Sequence, residues 1–211
     1  MSRDKAGNVV RYWVLCEELK EVVRSGWKLW KVEQERLESV AEHIYGTQML
    51  AIAMWSEYGY EVDIAKVCLM LALHELEEVR IGDLTPFDKA SKTKMEMGHE
   101  AVCEILKDFG RNEEIVELIF EFDARETAEA RFAFMCDKME AVLQAWLYDK
   151  RKAIDLTNQG GNPMIEDEIV KKYLDDSHDA FELFMAYADE RYGICADGNF
   201  REVGEYMRGS C

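Results

Sequence analysis

Ser39-Val40-Ala41-Glu42-His43-Ile44-Tyr45-Gly46-Thr47-Gln48-Met49-Leu50-Ala51-Ile52-Ala53-Met54 is the run whose reading decides the fold class. Val40, Ile44, Thr47, Ala51 and Met54 recur at steps of three and four, which lays them along one face of an α-helix, and His43 falls within that face. Further along, Val67, Met70, Leu71 and His74 form a similar stripe that continues to Glu78, and Ala133, Phe134, Ala141 and Ala145 surround Asp137. Strand-like alternation is nearly absent. The period predicts an all-α bundle with helices near 9–24, 38–58, 62–79, 92–109, 112–123, 127–152, 165–192 and 199–208. Gly59, Gly82 with Pro86, and Gly110 mark breaks, and Thr157-Asn158-Gln159-Gly160-Gly161-Asn162-Pro163 is the clearest flexible connection.

Size and composition are consistent with that plan. The 211 residues suit a single domain, with a core at about 24–150 and a helical extension at about 165–211. Hydrophobic residues make up 48% of the chain, enough to bury a sizeable core. The formal net charge of -17 argues against a sequence-independent nucleic-acid binder, which needs basic surface against phosphate. It does not exclude a small anionic substrate, because a metal and a few local cations can reverse the potential inside one cleft. The cysteines Cys16, Cys68, Cys103, Cys136, Cys195 and Cys211 are scattered with no CxxC pair, as expected of free thiols in apolar runs. The start of the chain, with Arg3, Asp4 and Lys5, lacks the apolar core of a signal peptide, and no uncharged apolar stretch is long enough to span a bilayer. These features lead to the expectation of a cytoplasmic protein that makes no membrane contact.

Helices carrying His43, His74 and Asp137 therefore each direct an ionisable group toward an apolar interior. Burying such groups without partners costs several kcal/mol apiece. A divalent cation removes the difficulty, since neutral imidazole and carboxylate are its ordinary ligands. Glu75 follows His74 about 100° around the helix axis, so both can reach one ion at the helix edge. Each residue alone has an ordinary alternative. A histidine on an apolar face can be a hydrogen-bonded core residue, Glu75 could be solvated, and Asp137 could pair with Arg131 or Lys138. Their joint occurrence in this order points to a metal.

The same residues resemble the HD-domain phosphohydrolases, helical proteins with a His … His-Asp … Asp metal set, and within them the 5′-deoxynucleotidase group. Glu38-Ser39-Val40-Ala41-Glu42-His43 is similar to that group's ESVAEH signature. Leu73-His74-Glu75-Leu76-Glu77-Glu78 with Ile81-Gly82-Asp83-Leu84-Thr85-Pro86 resembles its HD..E…GD.TP block. Ala128-Glu129-Ala130-Arg131-Phe132 with Asp137-Lys138 and Glu140-Ala141 resembles its third block. The likeness runs from about Arg24 to Tyr148. It implies that His43, His74 and Asp137 are metal ligands, with Glu75 standing where the family has aspartate. It also implies that Glu78 handles the attacking water and that Asp83 lies near the substrate sugar. Trp27 matches an aromatic bounding the nucleotide pocket, and Arg24, Lys28 and Arg36 are candidate phosphate contacts. Glutamate at position 75 projects one methylene farther than aspartate, so the ion could shift or be held in a different denticity.

Two other histidines are set aside. His178-Asp179 is a literal HD dipeptide with too little chain after it to supply the remaining ligand, and it is read as a solvated helix face. His99 matches no block and is expected to be structural or at the surface.

The implied activity is metal-dependent hydrolysis of a phosphomonoester, most specifically a deoxynucleoside 5′-monophosphate, with Mn, Co, Mg, Ni, Fe or Zn as the divalent ion. The alternatives are an HD hydrolase acting on a nucleoside triphosphate, cyclic nucleotide or guanosine polyphosphate, and a metal-binding helical protein without turnover. The resemblance also implies a homodimer. Phe181, Phe184, Tyr187 and Tyr192 could cover the core or form an interface.

Overall fold

The computed structural model describes residues 4–85 and 94–209, so Arg3, Pro86 and Cys211 lie outside the described residues. Ser39 opens α3 (Val40–Tyr58) with a capping box: its hydroxyl accepts from the Glu42 N–H, and the Glu42 carboxylate accepts from the Ser39 N–H. Part of the ESVAEH run is thus explained by helix initiation alone, which leaves Glu38 and His43 free for other work. Gly59 ends the helix in the left-handed region at φ 67°. Asp63 caps α4 (Ile64–Leu73) by accepting from Ala65 and Lys66 N–H groups, and Thr127 caps α8 (Ala128–Lys150) by accepting from Ala130 N–H.

The remaining helices, in chain order, are α1 (Lys5–Glu18), α2 (Ser25–Leu29), α5 (Glu78–Ile81), α6 (Lys94–Leu106), α7 (Asn112–Ala124), α9 (Glu168–Leu174), α10 (Ala180–Tyr192) and α11 (Gly198–Arg208). Short 3-10 turns at Leu156–Asn158, Pro163–Glu166 and Ile194–Ala196 join the last of them. The long α8 is the central post, packed against α3, α4, α7 and α10. Its inward residues Ala133, Cys136, Met139 and Val142 meet Ala51 and Met54 of α3, Val67, Met70 and Leu71 of α4, and Phe181 and Met185 of α10 in one buried cluster. Asp137 is carried in the middle of this packed stripe, one residue along from Cys136, so the core fixes where its carboxylate can go.

Three predicted helices differ from the structure. The run 9–24 ends at Glu18, and the chain re-forms a short α2 around Trp27. The run 62–79 is interrupted at His74, where the backbone tightens into i→i+3 bonds (Leu76 N–H to Leu73 C=O, Glu78 N–H to Glu75 C=O) before α5 begins. The run 165–192 splits into a 3-10 turn, α9 and α10, with Asp167 and Asp179 each capping a new start. The His178-Asp179 dipeptide therefore lies at a helix entry and not on a helix face: His178 is exposed and Asp179 is the cap of α10.

Candidate metal centre

The bundle brings the predicted ligands together. One donor atom from each of His43, His74, Glu75 and Asp137 lies within 4.8 Å of all the others. His43 Nε2 is 3.0 Å from Asp137 Oδ1, and His74 Nε2 is 3.8 Å from both Asp137 Oδ1 and Glu75 Oε1. The interruption after Leu73 is what turns Glu75 toward the same point as His74.

The histidines show whether a cation suits these donors. His74 Nδ1 is 2.8 Å from the Leu71 carbonyl, which can only accept, so Nδ1 carries a proton and Nε2 is the nitrogen left for the cluster. Nε2 is buried and has no hydrogen-bond partner among the described residues. His43 Nδ1 is 2.5 Å from Glu140 Oε2, which likewise leaves Nε2 facing Asp137. Burial and Arg24 favour the neutral His43 ring, yet Glu140 and Asp137 outweigh them and raise its pKa to about 10. The surroundings thus call for positive charge between these groups, and a divalent ion bound by imidazole nitrogen and carboxylate oxygen supplies it. The residues fit a metal. Glu140, held against His43, is the kind of outer carboxylate that fixes a ligating imidazole's tautomer and orientation.

Cations and further acids ring this point. Arg24 Nη1 lies 3.3 Å from Glu75 Oε1 and 3.6 Å from Asp83 Oδ1, and Asp83 also accepts from the Ser25 N–H. Burial alone would raise the Glu75 pKa, but His74 and Arg24 bring it down to about 2. Asp137 is likewise held well below the ordinary carboxylate range, against its burial, by Lys138 at 2.7 Å and by the histidines. Glu78 is the opposite case. Burial, reinforced by Glu75 and Asp83, pushes its carboxyl up to about 11, although Lys94 Nζ is 3.1 Å away. Glu75 and Glu78, three residues apart, thus differ sharply in proton affinity, a contrast found where one group binds and another exchanges a proton.

A cavity of about 590 Å³ opens from this cluster, with Arg24, Glu75, Asp83, Lys94 and Lys138 in its wall and Trp27 along its side. The chain belongs to the HD-domain family. The family model described as an HD domain matches residues 16–167. A curated 5'-deoxynucleotidase HDDC2 from Dictyostelium discoideum is 33% identical over 152 residues, covering 68% of this chain and 79% of that protein. A 5'-deoxynucleotidase hdd1 from Schizosaccharomyces pombe is 29% identical over 199 residues, covering 88% and 96%. Among solved structures, one named a "Predicted metal-dependent phosphohydrolase" from Magnetospirillum magnetotacticum MS-1 superposes with a TM-score of 0.64 over 97% of this chain and 90% of that one; at 22% identity it attests the shared fold.

Within this HD domain the predicted substrate contacts separate. Arg24 and Trp27 line the cavity; Lys28 and Arg36 do not. Lys28 is exposed on α2, and Arg36 is an exposed partner of Glu42 at 2.5 Å. The cations the cavity does hold include Lys94 and Lys138, which the sequence blocks did not single out for this role. Lys138 was legible only as the neighbour of Asp137, and Lys94 carried no local signal. Glu140 had one: it follows Asp137 by three residues and so shares its helix face. His99 is accounted for by its stack on Phe120 and its 2.6 Å contact with Asp123.

Proposed function

We propose that this HD-domain protein is a metal-dependent 5′-deoxynucleotidase, releasing phosphate from deoxynucleoside 5′-monophosphates. The observation that carries the reading is the convergence of two imidazole nitrogens and two carboxylates, one of which, Glu75, also lies in the wall of a cavity lined by Arg24, Lys94 and Lys138. The proposed ligands are His43, His74, Glu75 and Asp137. A divalent ion bound there supplies Lewis acidity toward a phosphate oxygen and a lowered pKa for water.

The chain's own residues divide the rest of the work. Arg24, fixed between Glu75 and Asp83, and Lys94 and Lys138 offset the substrate's negative charge. Glu78 has Oε2 unpartnered among the described residues; a divalent cation held by the neighbouring ligands would offset the burial and the acids that raise its carboxyl, and so let it orient the attacking water or take its proton. Asp83, tied to Ser25 N–H and Arg24, sits in the cavity wall where a sugar hydroxyl can donate to it. Trp27, its indole N–H donated to Glu38 at 2.6 Å, bounds the side of the cavity.

The chain works as one unit in this reading, because α10 of the extension and the 24–150 core wall the same cavity. It acts as a cytoplasmic homodimer without nucleic-acid partners. No helix of the described residues is long and apolar enough to cross a membrane. Phe181 is fully buried in the core, whereas Val10 and Trp13 of α1 and Tyr45, Met49 and Ile52 of α3 are exposed apolar side chains open to a second copy. Phosphate release from a panel of deoxynucleoside and ribonucleoside mono- and triphosphates, cyclic nucleotides and guanosine polyphosphates tests the assignment. Monophosphates are the expected substrates, and release from polyphosphates alone would overturn it.

A further inference from the structure

Glu38, at the head of the Glu38-Ser39-Val40-Ala41-Glu42-His43 run, belongs neither to the four-residue ligand cluster nor to the cavity wall, yet it is buried. Its Oε2 accepts from the Trp27 indole N–H at 2.6 Å. That N–H is the only polar group of the Trp27 side chain, and Trp27 is 4% exposed, so removing the acceptor strands a buried donor. The Glu38 main chain is tied as well. Its N–H donates to the Tyr148 hydroxyl at 3.1 Å, and its carbonyl accepts from the Arg24 N–H at 3.0 Å. Tyr148 of α8 also packs edge-on against Trp27, with ring centroids 5.0 Å apart. These ties matter because α2 has five residues and no side-chain cap, too little to hold its own shape.

We propose that Glu38 is a positioning residue: its carboxylate fixes Trp27, and with it the short α2, in the cavity wall, and so sets substrate affinity without touching substrate or metal. The inference rests on the nucleotidase reading for the reaction that it serves. Arg24 caps α2 and Trp27 is its middle residue, so a shift of this helix moves a cation and an aromatic of the cavity wall together. Glu38 also has neighbours on the metal side. One donor atom from each of Glu38, His43 and Glu140 lies within 4.8 Å of the others, but His43 Nδ1 is already bonded to Glu140 Oε2 at 2.5 Å. Glu140 is therefore the carboxylate that orients the ring, and the bonded partner of Glu38 is Trp27.

Glu38→Met keeps the length of the side chain and removes the acceptor, whereas Glu38→Gln keeps an acceptor oxygen. With metal-loaded protein and a deoxynucleoside 5′-monophosphate, Glu38→Met should raise KM about tenfold with kcat within about threefold of wild type, and Glu38→Gln should hold KM within about threefold. Trp27→Phe removes the donor, so in that background Glu38→Met should raise KM by no more than about twofold further. Metal affinity, read by chelator competition, should stay within about threefold for both Glu38 variants, in contrast to Glu140→Gln. A second reading needs no turnover. In an NMR spectrum of nitrogen-labelled protein each of the five tryptophans gives one indole N–H resonance, and Trp27→Phe identifies that of Trp27. Glu38→Met should shift that resonance more than any other. Melting temperatures report folding, and if Glu38→Met does not fold, Glu38→Gln must still move the Trp27 resonance, because a neutral acceptor replaces a charged one. An unmoved Trp27 resonance in a folded variant, additive effects of Glu38→Met and Trp27→Phe on KM, or a loss of metal affinity as large as the rise in KM would each overturn the role. If no phosphomonoester is hydrolysed the nucleotidase reading fails, while the resonance still decides whether Glu38 fixes Trp27.

Discussion

Replacing Glu140 with glutamine tests whether the bundle orients His43 toward a metal. In the structure Glu140 Oε2 accepts from His43 Nδ1–H at 2.5 Å in a buried setting, while Nε2 of the same ring faces Asp137. Glutamine is nearly isosteric and keeps an acceptor oxygen, but loses the charge that makes this bond about twice as strong as a neutral one. A loss of about 1.4 kcal/mol in holding the ring corresponds to about tenfold weaker metal binding, at the lower end of the 10–100-fold typical of such outer carboxylates. Gly46→Ala gives an independent route to the same result. A Cβ at Gly46 would lie 2.5 Å from Glu140 Oε1 and 3.1 Å from its Cδ, so the carboxylate would have to move. Competition with a chromophoric chelator for Co²⁺ or Zn²⁺ measures the affinity, with melting curves as the control for folding. Folded Glu140→Gln protein that binds metal within twofold of wild type, with unchanged kcat, would refute the orienting role.

Other substitutions separate binding from turnover. Glu78→Gln should retain metal and lower kcat by about 10²- to 10⁴-fold, measured as phosphate release by metal-loaded protein. Glu75→Asp withdraws the carboxylate by about 1.5 Å. The Arg24 contact at 3.3 Å should open while that with Asp83 remains, so metal should persist and KM rise by up to about fivefold, as loss of a partly exposed ion pair allows. Away from the site, burial would raise the Glu121 pKa, but Lys66 at 2.7 Å and Thr127 lower it overall. A depressed carboxylate contributes stability that is complete above its unfolded value, near pH 4.3, and is lost as pH falls through the folded value. Glu121→Gln should therefore lower stability near neutrality by under about 1 kcal/mol and flatten its decline on acidification, read from urea melts at stepped pH.

The positions of the proposed ligands were legible because each sits on a helix whose apolar period is set by local sequence. In α3 the face of Val40, Thr47, Ala51 and Met54 is buried as the period requires, and His43 is buried with it. The interruption at His74 was not legible. Leu76 and Glu78 continue the stripe, and only packing of the turn decides that the helix tightens there. The division between α9 and α10 left a trace that periodicity overrode: Asp179 with Glu182 is a cap signal, and Asp179 accepts from the Glu182 N–H. Lys28 and Arg36 show the limit of carrying charge positions across a variable segment, since a one-residue difference on the short α2 turns a side chain from cavity to solvent. Lys94 reaches Glu78 from a different helix, a contact set by tertiary packing alone.

The most direct test of the account is phosphate release from deoxynucleoside 5′-monophosphates by protein loaded with Mn²⁺ or Co²⁺, stripped with chelator, and reloaded. The account predicts turnover that disappears on stripping and returns on reloading, with His74→Ala protein folded but inactive throughout. Release that survives complete removal of metal, or none from folded, metal-loaded protein, would contradict it.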